Sequence, residues 1–369
     1  MTYTGKQLTT QLDADGTLTV QLNEHSWDAP SGTQLLVKIE ATPINPSDLG
    51  LLFASADADN AVYTPGKVVA RMPDGATRAF AARHGMAMPA GNEAAGIVVA
   101  AGEAPAAQAL LGKRVACVPG TAYATYATCD ASMAFAVDDN VSAEQAASSF
   151  VNPMTALGFT ETMKLEGYTG LVHAAAASNL GQMLVKICQE DGIPLVNIVR
   201  SADQVKLLKD LGATHVLNST DADFMAQLTD AIHETGAMLG FDPIGGGTMA
   251  SQILSAMEAS ASRGAAFSRY GSSTPKKVYI YGALDIGPTI LNRAFGLTWD
   301  LGGWLLTPFM MKAGMEVVGR MRARVMKDLT TTFASHYARR GSLEDMLTKD
   351  AVAMYNARRT GEKYLVVPN

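Results

Sequence analysis

Two hydrophobic patterns divide the chain. Up to about residue 150, apolar residues come in short runs closed by glycine and proline; beyond it, short β-prone runs alternate with stretches at helical spacing. In the first part Leu35-Leu36-Val37-Lys38-Ile39 and Gly96-Ile97-Val98-Val99-Ala100 predict strands. Val115-Ala116-Cys117-Val118 and the run 123–129 predict two more, divided by Pro119-Gly120. Asn45-Pro46-Ser47-Asp48 predicts a turn into a helix, because Asn, Ser and Asp satisfy early backbone donors. Residues 55–89, rich in Ala, Asp, Gly and Pro, predict a long loop with a hairpin, standing over whatever pocket exists.

In the second part Leu171-Val172-His173 predicts a strand. After a turn of small residues, Leu180, Met183, Leu184, Ile187 and Cys188 fall at i, i+3, i+4, i+7 and i+8, one face of a helix. Strands at 195–199, 215–218, 238–242 and 278–281 follow, with a helix over 205–211, and the alternation predicts a parallel sheet. Val318, Met321, Val325 and Leu329 make one face of a further helix, and 352–368 predicts a helix followed by a closing strand.

The turn Ala174-Ala175-Ala176-Ala177-Ser178-Asn179-Leu180-Gly181 carries the chemistry. Strand, small-residue turn and helix offer backbone N–H groups and a positive dipole end to a pyrophosphate. The glycine fingerprint is reduced here to Ala176-x-Ser178-x-x-Gly181, which by itself also fits any tight helix start. The next strand resolves the ambiguity, since Leu195-Val196-Asn197-Ile198-Val199 ends on Arg200-Ser201, where NAD would require a carboxylate. A guanidinium and a hydroxyl attract a 2′-phosphate, so the expected cofactor is NADPH. The carboxyl ends of the other strands, at Asn218, Asp242 and Gly282-Ala283-Leu284, complete the expected cofactor contacts.

Composition narrows the class. Charged residues make up only 17% of the 369 residues, against a usual ~25%, which suits extensive buried surface. A net charge of −6 leaves no basic footprint for nucleic acid. Cys117, Cys129 and Cys188 are too dispersed for a disulfide framework or a metal cluster. No secretory signal is visible, and the longest uncharged stretch, 167–185, is the strand–turn–helix unit and not a membrane span. A cytoplasmic enzyme fits these features.

The chain resembles the zinc-independent medium-chain dehydrogenase/reductases, the branch of quinone oxidoreductases and enoyl thioester reductases. The resemblance rests on Asn45-Pro46-Ser47-Asp48, Gly91-Asn92-Glu93-Ala94-Ala95-Gly96, Thr155-Ala156, the Ala176 to Gly181 turn, Leu211-Gly212-Ala213 with Val216, and Arg358-Arg359-Thr360-Gly361-Glu362-Lys363. It implies an α/β protein in which a GroES-like, mostly β catalytic domain, 1–150 completed by 336–369, accompanies a doubly wound Rossmann domain at 151–335. It further implies a homodimer joined through the Rossmann sheets. Asn45 would lie beside the nicotinamide and its ribose, although a helix-capping role explains it equally well. Thr155 and Arg358 would contact the cofactor. The tyrosine that enoyl reductases place after the Asn-Pro motif has no counterpart, since Ala56 stands near that position; Tyr63, in a segment longer than the family's, is the candidate replacement.

Where alcohol-oxidising relatives have a zinc-binding histidine, this chain has Asn92, and an amide cannot replace imidazole as a strong zinc ligand. Glu93 then reads as a structural carboxylate, and no metal is expected. Without a Lewis acid, the remaining chemistry is hydride delivery from NADPH to the β-carbon of an already polarised small molecule, an α,β-unsaturated carbonyl or a quinone. Asn45 and Tyr63 are the candidate catalytic residues. Two rivals stay open, a quinone reductase and a catalytically silent NADPH-binding structural protein. His173, inside a strand, reads as a buried structural residue. Trp299, Trp304 and Phe309 with Met310 and Met311 read as core and dimer interface, or else as the wall of an acceptor pocket.

Overall fold

The computed structural model describes residues 2–357, 359–361 and 363–368. It divides into two compact units, one formed by residues 1–151 with 326–369 and the other by 152–325. The return to the first unit therefore begins at Met326, earlier than the expected 336.

The first unit is mostly β. An N-terminal hairpin pairs Tyr3–Leu12 with Thr17–Trp27, and Leu8, Leu12, Leu18 and Val20 alternate inward at period two. Gly16, at φ 83°, completes its turn. This hairpin seeds a five-stranded sheet that takes in Lys67–Arg71, Val62–Thr64 and Met88–Pro89. The 55–89 segment is thus more ordered than a loop with a hairpin. Val68, Ala70 and Met72 bury at alternate positions, and a short helix, Asp74–Ala79, follows. The second sheet is built around Gln34–Pro43, which pairs with Ala94–Ala101, with Tyr126–Asp130 and, from the far end of the chain, with Tyr364–Val366. The strand expected over 123–129 begins later, at Tyr126, while Tyr123 is fully buried and donates its hydroxyl to the Pro43 carbonyl at 3.2 Å.

The second unit carries a six-stranded parallel sheet. Its spatial order is His215–Asn218, Leu195–Val199, Leu171–His173, Leu239–Asp242, Lys276–Ile280, Trp299–Gly303, which is the doubly wound arrangement. The helix Asn179–Asp191 buries the expected face, Leu180, Met183, Leu184, Ile187 and Cys188. Each such side chain contributes roughly 1.5–3 kcal/mol through burial. Gly192, at φ 66°, ends that helix in the left-handed region. The helix expected over 205–211 runs from Ala202 to Asp210, started by Ser201, whose side chain accepts from the Gln204 N–H. Val318, Met321 and Val325 are buried on the helix Leu306–Lys327, which is kinked at Gly314.

Candidate cofactor and catalytic sites

In the parallel unit the 171–191 segment forms the expected strand, turn and helix. Ala174 N–H donates to Phe241 O and Ala176 N–H to Ile198 O, both at 3.0 Å, so the turn is anchored to the strands on either side. Ser178 caps the helix, its hydroxyl accepting from the Gly181 N–H at 3.2 Å. A Cβ on Gly181 would lie 2.1 Å from the Ala176 carbonyl oxygen, so no other residue fits there. The start of this helix points its first turn toward the carboxyl edge of the sheet, the position at which such turns receive an anion. Ala176, Ala177 and Leu180 are buried, and Ser178 and Asn179 are half-buried.

Arg200 stands exposed at the tip of the neighbouring strand, and no carboxylate among the described residues pairs with its guanidinium. Its N–H is held by the Gln204 side chain at 3.1 Å. Beside it Ser201, while capping the next helix, keeps its hydroxyl proton to donate. The remaining expected contacts divide. Gly282 passes so close to Pro243 that a Cβ would meet its carbonyl oxygen at 2.6 Å, and Ala283 and Leu284 follow it exposed. Asn218 is engaged in its own turn, accepting from Thr220 and donating to Asp221. Asp242 is fully buried; one oxygen accepts the Ile244 N–H at 2.8 Å, and the other has no partner among the described residues. Burial pushes this carboxyl upward, against the backbone N–H groups of Ile244 and Gly245. Thr155 is buried on the helix Val151–Leu165. Arg358 lies outside the described residues.

The aromatic group resolves mainly as core. Trp304 stacks on Phe309 at 5.4 Å, packs edge-on against Phe159 at 4.9 Å and donates to Thr162 Oγ1 at 3.0 Å, whereas Met311 points outward. His173 is fully buried and hydrogen-bonded through Nε2 to the Tyr281 hydroxyl at 2.7 Å.

In the mostly β unit the Asn45 and Glu93 motifs meet. Asn45, 1% exposed, donates Nδ2 to Glu93 Oε1 at 2.9 Å. Glu93, also 1% exposed, accepts the Phe150 and Val151 N–H groups on Oε2 at 2.9 and 3.0 Å. Asp48 accepts the Asn45 N–H at 2.8 Å and the Asn92 N–H at 2.9 Å. Burial pushes Asp48 up to about 7, against the pull of those two N–H groups. Asn92 donates its side-chain amide to Ser47, and among the described residues no group of three metal-capable side chains occurs.

Tyr63 has another use for its hydroxyl, which donates to the Ala58 carbonyl at 2.7 Å, and its phenol is raised by burial, with Asp59 and Asp57 adding to the effect. Sequence reasoning missed Lys363, although it closes a motif that reasoning quoted. Its ammonium donates to Ser148 Oγ at 2.7 Å, and Ser148 shares a 2.8 Å hydrogen bond with the Tyr337 hydroxyl. Burial brings Lys363 down to about 8, opposed by the charges of Glu93 and Asp48.

The doubly wound sheet and the β-rich unit share their fold with solved quinone reductases. Residues 180–277 match the zinc-binding dehydrogenase family. The chain is 32% identical over 206 residues, 53% of its length and 51% of the relative's, to the mitochondrial enoyl-[acyl-carrier-protein] reductase of Caenorhabditis elegans. It spans about half the length of the curated relatives it matches. Among solved structures, a putative NADPH:quinone reductase from Mesorhizobium loti superposes with a TM-score of 0.74 at 24% identity, covering 99% of this chain and 98% of that one. Escherichia coli quinone oxidoreductase complexed with NADPH superposes with a TM-score of 0.69 at 18% identity, covering 99% and 100%.

Proposed function

We propose that the chain is a zinc-independent, NADPH-dependent reductase of activated alkenes, acting on enone, enoyl or quinone-type acceptors. The observation that carries this reading is the Ser178-capped turn closed by Gly181, with the exposed Arg200, unpaired among the described residues, and the Ser201 hydroxyl at the adjacent strand tip. These residues fit a dinucleotide bearing a 2′-phosphate. The turn's backbone N–H groups would hold the pyrophosphate, and Arg200 with Ser201 the phosphate on the ribose. Gly282, Ala283 and Leu284 would line the nucleotide, and Thr155, Asn218, Asp242 and Arg358 remain in the proposed contact set.

When bound, NADPH supplies a hydride for the electrophilic β-carbon of the acceptor. Asn45 is the proposed residue of the mostly β unit to contact the ligand, held in place by Glu93 and Asp48. Tyr63 is proposed as a second donor and would have to release Ala58 to serve; solvent otherwise supplies the proton. The names of the quinone reductases and enoyl reductases support both acceptor classes. We further propose a cytoplasmic homodimer, in keeping with three buried, unpaired cysteines. Among the described residues no helix is long and apolar enough to cross a membrane.

A panel of enones, quinones and enoyl thioesters, run with NADPH deuterated at its transferable position, tests the reading. An active enone should gain deuterium at its β-carbon and take its α-hydrogen from solvent. Deuterium on the carbinol carbon of an allylic alcohol, or no turnover across the panel, would refute it.

A further inference from the structure

The parallel sheet carries a row of polar side chains beside its carboxyl edge, all within one compact unit. Tyr281 follows the strand Lys276–Ile280, His173 ends Leu171–His173, and Asn197 lies inside Leu195–Val199. The Tyr281 hydroxyl and His173 Nε2 are 2.7 Å apart, and the Phe159 ring packs against both residues. Asn197, 1% exposed, is the registered neighbour of His173 on the adjacent strand. Two buried atoms of this row are left over. Neither His173 Nδ1 nor Asn197 Oδ1 has a hydrogen-bond partner among the described residues.

The neighbours decide where the protons of the row sit. Asn197 Nδ2 donates to the His215 carbonyl at 3.2 Å, so turning the amide over would set oxygen against oxygen. The Asn197 strand lies between the strands of His215 and His173, and with Nδ2 committed to the first, Oδ1 is the end left for the second. Burial lowers the His173 imidazole to about 3, so the ring is neutral and carries a single N–H. With that proton on Nε2, the Tyr281 hydroxyl accepts and its own proton has no acceptor among the described residues. Nδ1 and Asn197 Oδ1 are then two unpaired acceptors on neighbouring strands. With the proton on Nδ1, Tyr281 donates to Nε2, and Nδ1–H has Asn197 Oδ1 to meet, directly or across one buried water. Only the second arrangement satisfies all three side chains.

We infer that His173 is a positioning residue, held by Asn197 as its Nδ1–H tautomer, which makes the Tyr281 hydroxyl a donor fixed at the carboxyl edge of the sheet. Ala174 directly follows His173, Gly282 directly follows Tyr281, and Arg200 lies just beyond the end of the Asn197 strand. The row therefore ties together the strand ends from which the Ser178 turn, the Arg200 tip and the loop of Gly282, Ala283 and Leu284 emerge. This consequence for binding rests on the proposed reading that those segments hold NADPH; the tautomer does not.

NMR of protein isotopically labelled at its histidine ring nitrogens, at neutral pH, reports the tautomer, with His173→Gln identifying the His173 signals. Nδ1 should show the shift of a protonated ring nitrogen and Nε2 that of an unprotonated one. Tyr281→Phe, which removes only the hydroxyl, should keep this tautomer, because Asn197 still faces the ring. Adding Asn197→Leu should release the ring to the Nε2–H form that free histidine favours. Nε2–H in the unaltered protein, a switch of tautomer in Tyr281→Phe, or Nδ1–H retained in the folded double variant overturns the assignment. Should the double variant fail to fold, the first two spectra decide.

NADPH titration, with thermal melting as a check on folding, reads the consequence. Tyr281→Phe should weaken the NADPH Kd by up to about ten-fold, the scale of one neutral hydrogen bond. An unchanged Kd overturns the positioning role. Failure of the unaltered protein to bind NADPH, with Nδ1–H observed in the same sample, overturns the cofactor reading and leaves the tautomer assignment standing.

Discussion

His173 shows how a single buried group contributes to the response to acid. It is fully buried beside Phe159 and the Tyr281 hydroxyl, and burial lowers its imidazole to about 3. In the unfolded chain the same ring titrates near its ordinary value of about 6.5. Below that pH the unfolded state takes up a proton that the folded state refuses. Stability from this residue is therefore complete above about 6.5 and falls by roughly 1.4 kcal/mol per pH unit as the pH drops towards 3. His173→Gln retains a polar partner for Tyr281 and removes the titration. Urea unfolding between pH 6.5 and 4.5 should show a shallower loss of stability in the variant than in the unaltered protein; equal slopes would mean that His173 is not held neutral. The sequence supported only the structural reading of this residue, since nothing in it announces Tyr281, 108 positions away, as the partner. Glu93 was legible in the same limited way. Its lack of metal partners marked it as structural, but its three donors come from two distant segments.

At the scale of elements, the strand, turn and helix proposed to hold the cofactor were legible because their geometry is local. Only one glycine of the fingerprint remains, and the structure gives the reason. Gly181 alone of the three fingerprint positions, Ala176, Ser178 and Gly181, faces a backbone oxygen where a Cβ would sit at 2.1 Å, so Ala176 and Ser178 can carry side chains. One residue of this turn is nonetheless strained. Ala175 lies at φ 50°, in the left-handed region, while its carbonyl accepts the Ser178 N–H at 3.1 Å. A left-handed non-glycine residue costs roughly 1–2 kcal/mol, and glycine's greater freedom when unfolded offsets part of the relief. Ala175→Gly should therefore stabilise the protein by up to about 1 kcal/mol, read as a rise in Tm. A fall in Tm would mean that the alanine methyl contributes packing that outweighs the strain. The 55–89 segment was less legible. Its strands are short, and Val68, Ala70 and Met72 alternate inward among turn residues that mask the period. Its pairing with the N-terminal hairpin is a contact between distant parts of the chain, which local periodicity does not report.

At the scale of the whole molecule, the remaining question is what covers the end of the parallel sheet. Trp299–Gly303 is its last strand, paired on one side with Lys276–Ile280 and with no further strand beyond it among the described residues. An open edge of backbone donors and acceptors invites another chain, and soluble proteins ordinarily guard such edges with charge, proline or a covering element. This strand carries one exposed charge, Asp300, and apolar residues flank it. Leu297, just before the strand, is 71% exposed, and Leu305, just after it, is 65% exposed. A second copy related by a two-fold axis would present the same strand and the same leucines, so one self-complementary contact would pair the two edges and bury both apolar flanks. We propose that this edge closes the homodimer that the family resemblance implies, with Leu297 and Leu305 at the contact. Light scattering during size exclusion should give the unaltered protein a mass of about twice 38.8 kDa at micromolar concentration. Leu297→Lys combined with Leu305→Lys should shift it to a single 38.8 kDa chain, because two lysines and their symmetry mates would place like charges at the closing edge. NADPH binding at the turn after Leu171–His173, three strands away from this edge, should survive the change if the variant remains folded. A monomeric unaltered protein would remove the edge-to-edge dimer; a double-lysine variant that stays dimeric would move the interface elsewhere on the chain.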